Sequence, residues 1–296
     1  MAAQLPFASA PAENAHFGVA GLQLALSAGD NLQTIALEVA SVARRFPWVR
    51  MVVAGELCGF GANTAHAQCL PGEAEDFLCN VARQHGLWLI PGSLYEKTDR
   101  GVFNTTPVID PTGTVVGRYR KMFPFAPYER GVASGEEFLV FDVPGVGRFG
   151  ISICYDIWFP ETSRSLCHLG AEVILHPTMT NTIDRDVEVA IARATAASNQ
   201  CYVVDINVAG DLGVGQSVIC GPGGEVIHRA GPGREIIAFE IDFGHLRHCR
   251  QRGWQGLGQP LKSFRDKPVV YPAYGAACAP SISLSRLGPL ELPGRD

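Results

Sequence analysis

The chain has 296 residues, 47% of them hydrophobic and 18% charged, with a net charge of −5. That is enough apolar material for a large core, and no break in composition divides it, so one main domain is expected. No basic run marks a nucleic-acid partner, no apolar run approaches a membrane span, and nine cysteines show no framework spacing. The opening residues, MAAQLPFASAPAEN, lack a basic and an apolar signal region. With the unframed cysteines, this gives the expectation of a reduced, cytoplasmic protein.

Taken in order, residues 1–14 read as a loose tail and Phe17–Leu24 as a strand. Asn31–Phe46 reads as an amphipathic helix with Ile35, Val39, Val42 and Phe46 on one face. Val49–Glu56 is a buried strand ending on a carboxylate. Gly72–Gly86 is a helix and Leu87–Leu94 a strand. Phe103–Ile109 and Thr114–Arg120 are strands joined by Asp110-Pro111-Thr112-Gly113, a strong turn signal. A loop rich in Phe, Pro and Gly runs from Lys121 to Glu136. Glu137–Val143 and Arg148–Ile153 are strands, and a helix to Leu169 follows, with Pro160 and Glu161 in its first turn. Glu172–His176 is a strand, and Asp184–Ser198 a long helix with Val187, Ile191, Ala194 and Ser198 in register. Gln200–Asn207, Gln216–Cys220, Glu225–Arg229 and Glu235–Ile241 are strands, with a hairpin at Gly221–Gly224. A short helix from Asp242 leads to a tail rich in Gly and Pro. Strand–helix units mixed with hairpins exclude a purely parallel sheet. They fit an α/β four-layer α-β-β-α sandwich of two mixed sheets with helices on both outer faces. The main domain spans 15–265, and 266–296 is a C-terminal tail.

Four positions at strand ends or in loops carry chemistry. Cys154 sits between a strand and a helix start, where a helix N-terminus favours a thiolate. Glu56 ends a strand, Lys121 follows one, and Glu129 lies in the loop after Lys121. A carboxylate takes the thiol proton and later activates water. A lysine holds the thiolate and then the oxyanion, with the Tyr155 N–H as a second donor. The second carboxylate orients the lysine and the substrate. Tyr128, Trp158, Phe159, His176, Thr178 and Met179 flank these positions and are the expected pocket lining. Asn104-Thr105-Thr106 matches a glycosylation acceptor, which carries no weight without secretion. His245, His248 and Cys249 could share a helical face as metal ligands, but lack a further ligand at suitable spacing.

The strand ending in Glu56, the run FNTTPVIDPTGTVVGRYRK ending in Lys121, the block ICYDIWFPE around Cys154 and the run ARATAASNQCYVVDIN together resemble the nitrilase, or carbon-nitrogen hydrolase, superfamily. The resemblance runs from Phe17 to Arg265. It implies the same sandwich fold, and Glu56, Lys121 and Cys154 as a catalytic triad assisted by Glu129. It also implies hydrolysis of a small amide through a thioester, releasing ammonia or an amine, with no metal or organic cofactor. A homodimer or higher homo-oligomer across the helix after Cys154, with Leu166 and Leu169 in the interface, is the implied assembly. Cys154-Tyr155-Asp156, where true nitrilases tend to carry Trp-Glu-Asn after the cysteine, points to the amidase branches. Gly55 stands where the family usually has Pro. An N-carbamoyl amidohydrolase, a nitrilase and an acyl transferase use the same thioester. A carbamoyl acid needs a cationic clamp, for which Arg185 is one candidate. A scaffold member without catalysis is disfavoured by the complete constellation.

Overall fold

The computed structural model describes residues 16–274 and 281–291; the expected tail over 1–14 lies outside them, as does part of the tail over 266–296. In chain order the first half comprises β1 (His16–Gln23), β2 (Ala25–Leu26), α1 (Leu32–Arg45), β3 (Val49–Ala54), α2 (Glu73–His85), β4 (Trp88–Ile90), β5 (Leu94–Thr98), β6 (Gly101–Ile109), β7 (Val115–Arg120), β8 (Val132–Ala133), β9 (Leu139–Val143) and β10 (Gly147–Ile151). The second half comprises α3 (Pro160–His168), β11 (Val173–Thr178), α4 (Arg185–Asn199), β12 (Tyr202–Asn207), β13 (Ala209–Gly210), β14 (Val218–Cys220), β15 (Val226–Arg229), β16 (Glu235–Asp242), α5 (Phe243–Arg252), α6 (Pro260–Asp266) and α7 (Ile282–Ser285).

One sheet runs in the order β16-β1-β3-β4-β6-β5, with β7 and β8 also paired to β6; the other runs β15-β14-β12-β11-β10-β9. Each mixes parallel and antiparallel neighbours: β1 is antiparallel to β16 and parallel to β3, and β11 is parallel to β10 and β12. Strands with a neighbour on each side and a layer on each face are mostly apolar, and β3 (VRMVVA) and β12 (YVVDIN) are such strands, interrupted by exposed Arg50 and by buried Asp205 and Asn207. Val19, Met51, Val53 and Ile90 of the first sheet meet Phe149, Ile151, Leu175 and Val204 of the second in the central layer. Ile35, Val39 and Val42 of α1 and Leu78 and Ala82 of α2 cover the outside of the first sheet. Leu166 of α3 and Val189, Ala192 and Ala196 of α4 cover the outside of the second. The result is the four-layer sandwich that the hairpins and strand–helix units imply.

Three expectations are corrected. Leu87–Leu94 is not one strand. Pro91 has no N–H for a ladder, and Gly92 takes φ +82, where an added Cβ would meet the Gly55 carbonyl oxygen at 1.9 Å. The chain therefore turns there and starts β5, which forms a second hairpin with β6. Cys154–Trp158 forms a separate 3-10 turn ahead of the helix, while the first helical turn expected at Pro160 and Glu161 is where α3 begins. In α4 the buried face is Val189, Ala192 and Ala196 with Arg185 and Glu188, while Val187 is 48% exposed. Small alanines let α4 lie close to the sheet, and its buried polar residues serve an ion cluster, so apolarity alone marked the wrong face. Leu166 is fully buried against the second sheet and offers nothing to a partner; Leu169 is exposed.

The Asp110–Gly113 hairpin sets a register that matters for chemistry. Asp110 Oδ1 accepts N–H bonds from Thr112 and Thr114, and Gly113 takes φ +79. This pairs Thr105 with Arg120, and just beyond the ladder the Lys121 N–H donates to the Asn104 carbonyl at 2.8 Å.

Candidate active site

Glu56 follows the end of β3, Lys121 the end of β7, Cys154 lies beyond β10, and Thr178 closes β11. The two sheets are tied at this level. The Glu56 N–H donates to the Thr178 carbonyl across the sandwich at 3.1 Å. Gly55 suits this approach, because a Cβ there would lie 2.6 Å from Val208 Cγ1 and 3.0 Å from the Thr178 oxygen. The next residue, Leu57, takes φ +47, held by an N–H bond to Ser93 Oγ. Cys154 itself takes φ +45. A left-handed conformation at a non-glycine residue costs energy and persists only where the surroundings impose it. Two such residues therefore aim Glu56 and Cys154 at each other.

Lys121 is the hub. Its Nζ donates to Glu56 Oε1 at 2.8 Å and to Glu129 Oε2 at 2.7 Å. Asn104 Nδ2 makes the opposite bridge, to Glu56 Oε1 at 2.8 Å and Glu129 Oε1 at 3.2 Å. The Tyr95 hydroxyl and the Phe125 N–H also donate to Glu129. Glu56 and Lys121 act on the buried Cys154 sulfur from opposite sides of its charge balance, and Thr180 Oγ1 lies 3.8 Å from it.

The charges follow from this geometry. Burial pushes Glu56 up, with Lys121 opposing and Glu129 adding to the rise. Burial alone would depress Lys121, but Glu56, Cys154 and Glu129 outweigh it and hold the ammonium well above its ordinary range. Burial also works against Glu129, but Lys121 and the Phe125 and Asn104 donors prevail and lower it. Burial and the neighbouring Glu56 carboxylate push the Cys154 thiol well above its ordinary value, against Lys121. This corrects the expected resting thiolate. The α-helix starts only at Pro160, so its N-terminus is too distant to favour one. These directions favour the thiol at Cys154, the ammonium at Lys121 and the carboxylate at Glu129.

Asp156 fixes the turn that carries Cys154. Its Oδ2 accepts from the Tyr119 hydroxyl at 2.7 Å and the Ile153 N–H at 2.9 Å, and its Oδ1 from the Phe123 N–H at 2.9 Å. One buried carboxyl thus joins the lysine strand to the cysteine turn. Around this turn lies an aromatic frame. Phe123 stacks on Phe159 at 3.6 Å and Phe125 on Tyr128 at 4.9 Å, while Tyr155 meets Phe125 edge-on at 5.0 Å.

The expected lining residues divide by placement. Tyr155 and Phe159 belong to this frame, and Tyr128 stands at its rim, 62% exposed. Trp158 is half-buried and leans on the α3–α4 core. Met179 packs its side chain towards the first helix layer. Thr178 is buried with its hydroxyl on Asp205. His176 is buried behind the site, its Nδ1 2.6 Å from Ser152 Oγ, and burial lowers its pKa to about 3, so it stays neutral. Arg185 is no clamp: it is buried in ion pairs with Asp205 and Glu188. His245 faces Glu225 at 3.3 Å, and among the described residues no three His, Cys, Asp or Glu side chains converge as a metal set. Nor, among those residues, is any helix long and apolar enough to cross a membrane.

Sequence reasoning missed Asn104, Tyr95, Asp156 and Thr180 as site residues. Asn104 carries a readable signal. It shares the inward face of β6 with core Val108, and a polar residue on a core-facing position demands a partner.

A hollow of about 400 Å³ lies on the outer face of the first sheet, lined by Phe103, Arg100, Arg118 and Arg120 among others. Its arginines are paired with Glu136, Glu75 and Glu96, and Lys121 points to the opposite face, so it is separate from the site.

Residues 18–251 match the sequence pattern of the family described as carbon-nitrogen hydrolase. The chain is 31% identical over 202 residues to omega-amidase NIT2-A of Xenopus laevis, an alignment covering 63% of this chain and 73% of that one. Its fold superposes on Nit3 of Saccharomyces cerevisiae, a member of branch 10 of the nitrilase superfamily, with TM-score 0.75 at 27% identity, over 81% of this chain and 96% of that one. It also superposes on an amidase from Nesterenkonia sp. with TM-score 0.71 at 24% identity, over 82% of this chain and 97% of that one.

Proposed function

The chain belongs to the carbon-nitrogen hydrolase family, and from that premise we propose that it hydrolyses small primary amides through a Cys154 thioester. The observation that carries this reading is the buried Lys121 bridge between Glu56 and Glu129, beside a buried Cys154 held in a left-handed conformation.

Glu56 is the base. Its raised pKa makes it a stronger proton acceptor than an ordinary carboxylate. It takes the thiol proton as Sγ attacks the amide carbon, so no standing thiolate is needed. The C=O electron pair moves onto oxygen. Lys121 has a third N–H for that oxyanion, and the Tyr155 N–H is the second donor. Protonated Glu56 passes its proton to the amide nitrogen, the C–N bond breaks and ammonia leaves. Water then enters, gives a proton to Glu56 and attacks the thioester carbonyl. The second tetrahedral intermediate expels the Cys154 sulfur, which regains its proton from Glu56. Glu129 stays ionised, orients Lys121 and accepts from the substrate NH2.

The aromatic frame suits a short acyl chain lying on apolar faces, with the amide directed inward. The relative's name, omega-amidase, directs the search to amides at the end of a short chain. With Arg185 in internal ion pairs, the carbamoyl-acid alternative loses its candidate clamp. The test is an ammonia-release screen across terminal amides, carbamoyl compounds and nitriles. Turnover of at least one amide, absent in Cys154→Ala, is expected. Turnover that survives that change contradicts the proposal.

A further inference from the structure

Asn104-Thr105-Thr106 matches a glycosylation acceptor, yet all three residues are fully buried in β6. The amide of Asn104 is committed elsewhere. Its two Nδ2 hydrogens go to different carboxylates, Glu56 Oε1 at 2.8 Å and Glu129 Oε1 at 3.2 Å. Its Oδ1 has no hydrogen-bond partner, and flipping the amide would press that oxygen against two carboxylate oxygens. The orientation is therefore fixed by charge. Its backbone carbonyl also holds the Lys121 N–H. One residue thus touches every ionic member of the site.

We propose that Asn104 is a positioning residue: its amide holds the two glutamates together and leaves Glu56 Oε2 facing the Cys154 thiol. The proposal rests on the amidase reading above. Glu56 Oε1 already accepts from Lys121 and Asn104, so Oε2 is the oxygen left for the proton. Without the Asn104 amide, Lys121 alone holds two like charges together, and Glu56 is free to turn.

This role has a sign. Removing a donor from ionised Glu56 destabilises that form beside Glu129, so the proton is held more tightly and the acid limb of activity moves to higher pH. The titratable groups facing Glu56 are Lys121, Glu129 and Cys154. Tyr95 of β5 reaches only Glu129, and His176 of β11 is neutral.

The experiment compares Asn104→Ala, the near-isosteric Asn104→Asp and Thr106→Val. Thr106 shares the inward face of β6 and is buried, with a hydroxyl that has no partner, so it controls for altering this strand. Two profiles are measured against pH on the full chain: turnover of a primary amide, and alkylation of Cys154 by iodoacetamide followed by peptide mass spectrometry. In Asn104→Ala, kcat is expected to fall about 100-fold with KM within about threefold. The acid limbs of kcat/KM and of alkylation should both rise by roughly one pH unit. Asn104→Asp, which adds a carboxyl at the same place, should move both limbs further, and it decides the matter should the alanine variant not fold. Thr106→Val should move neither. Acid limbs that stay put in both Asn104 variants overturn the proposal even where kcat falls, as does an equal shift in Thr106→Val. Should the wild-type enzyme hydrolyse no amide, the amidase reading fails, and the alkylation profile still decides the role of Asn104.

Discussion

The molecule buries two ion clusters of the same composition, one cation between two carboxylates, on either side of the end of β11. In one, Lys121 lies between Glu56 and Glu129; in the other, Arg185 lies between Asp205 and Glu188. Thr178 touches both: its carbonyl accepts from the Glu56 N–H and its hydroxyl donates to Asp205. The guanidinium is a planar fork, and its terminal nitrogens are taken by both carboxylates and the Gln216 carbonyl. It clamps α4 to the second sheet. The ammonium is a point donor with three N–H bonds, of which two are used. A strained cysteine and a cluster of aromatic side chains stand beside it. Each cluster keeps one donor without a hydrogen-bond partner, Arg185 Nε in one and the third Lys121 N–H in the other, so what separates the reaction site from the structural lock is the strained cysteine beside it.

The comparison yields predictions in descending size. Cys154→Ala should lower turnover by at least about 10⁴-fold with an unchanged urea midpoint, because the nucleophile is lost and the cluster stays paired. Glu56→Gln should cost about a thousandfold, with acylation and deacylation both slowed in single-turnover measurements, since one carboxylate serves each. In the wild type, Glu56 must be ionised to act. Because its pKa is raised, kcat/KM should fall as pH drops through a value above the ordinary glutamate range of about 4.3. An acid limb at or below that value would contradict the assignment.

Arg185→Met should act on folding. Breaking a buried pair leaves Asp205 and Glu188 without their cation, at a cost of about 3–5 kcal/mol by urea unfolding. The folded variant should lose far less activity than Glu56→Gln. Equal losses would show that the two clusters work as one. The smallest effect concerns substrate choice. An amide carbon is trigonal and gives an oxyanion that Lys121 and the Tyr155 N–H can hold, and its NH2 can bond to Glu129. A nitrile offers no such N–H donor. Amides should exceed nitriles of the same skeleton by at least about tenfold in kcat/KM, roughly 1.4 kcal/mol. Parity would show that Glu129 does not read the NH2.

The layer order was legible because mixed sheets leave distinct marks, apolar runs for buried strands and Gly- or Asp-containing turns for hairpins. The positions of Glu56, Lys121 and Cys154 were legible as strand ends. Three things were not. The resting charge of Cys154 depends on how deeply three loops bury it, which no local spacing records. The active face of α4 was misread because its buried side carries Arg185 and Glu188, whose partner Asp205 lies on another strand. Asn104 was hidden for a related reason: its meaning comes from carboxylates 48 and 25 positions away.

The central claim is a covalent intermediate on Cys154, and intact-protein mass spectrometry after rapid acid quench with a turned-over amide tests it most directly. The account predicts an added acyl group, less the thiol hydrogen, located by peptide mapping on Cys154 and absent from Cys154→Ala. Hydroxylamine included in the reaction should release that acyl group as the hydroxamate. Ammonia release at full rate with neither adduct nor hydroxamate would contradict it.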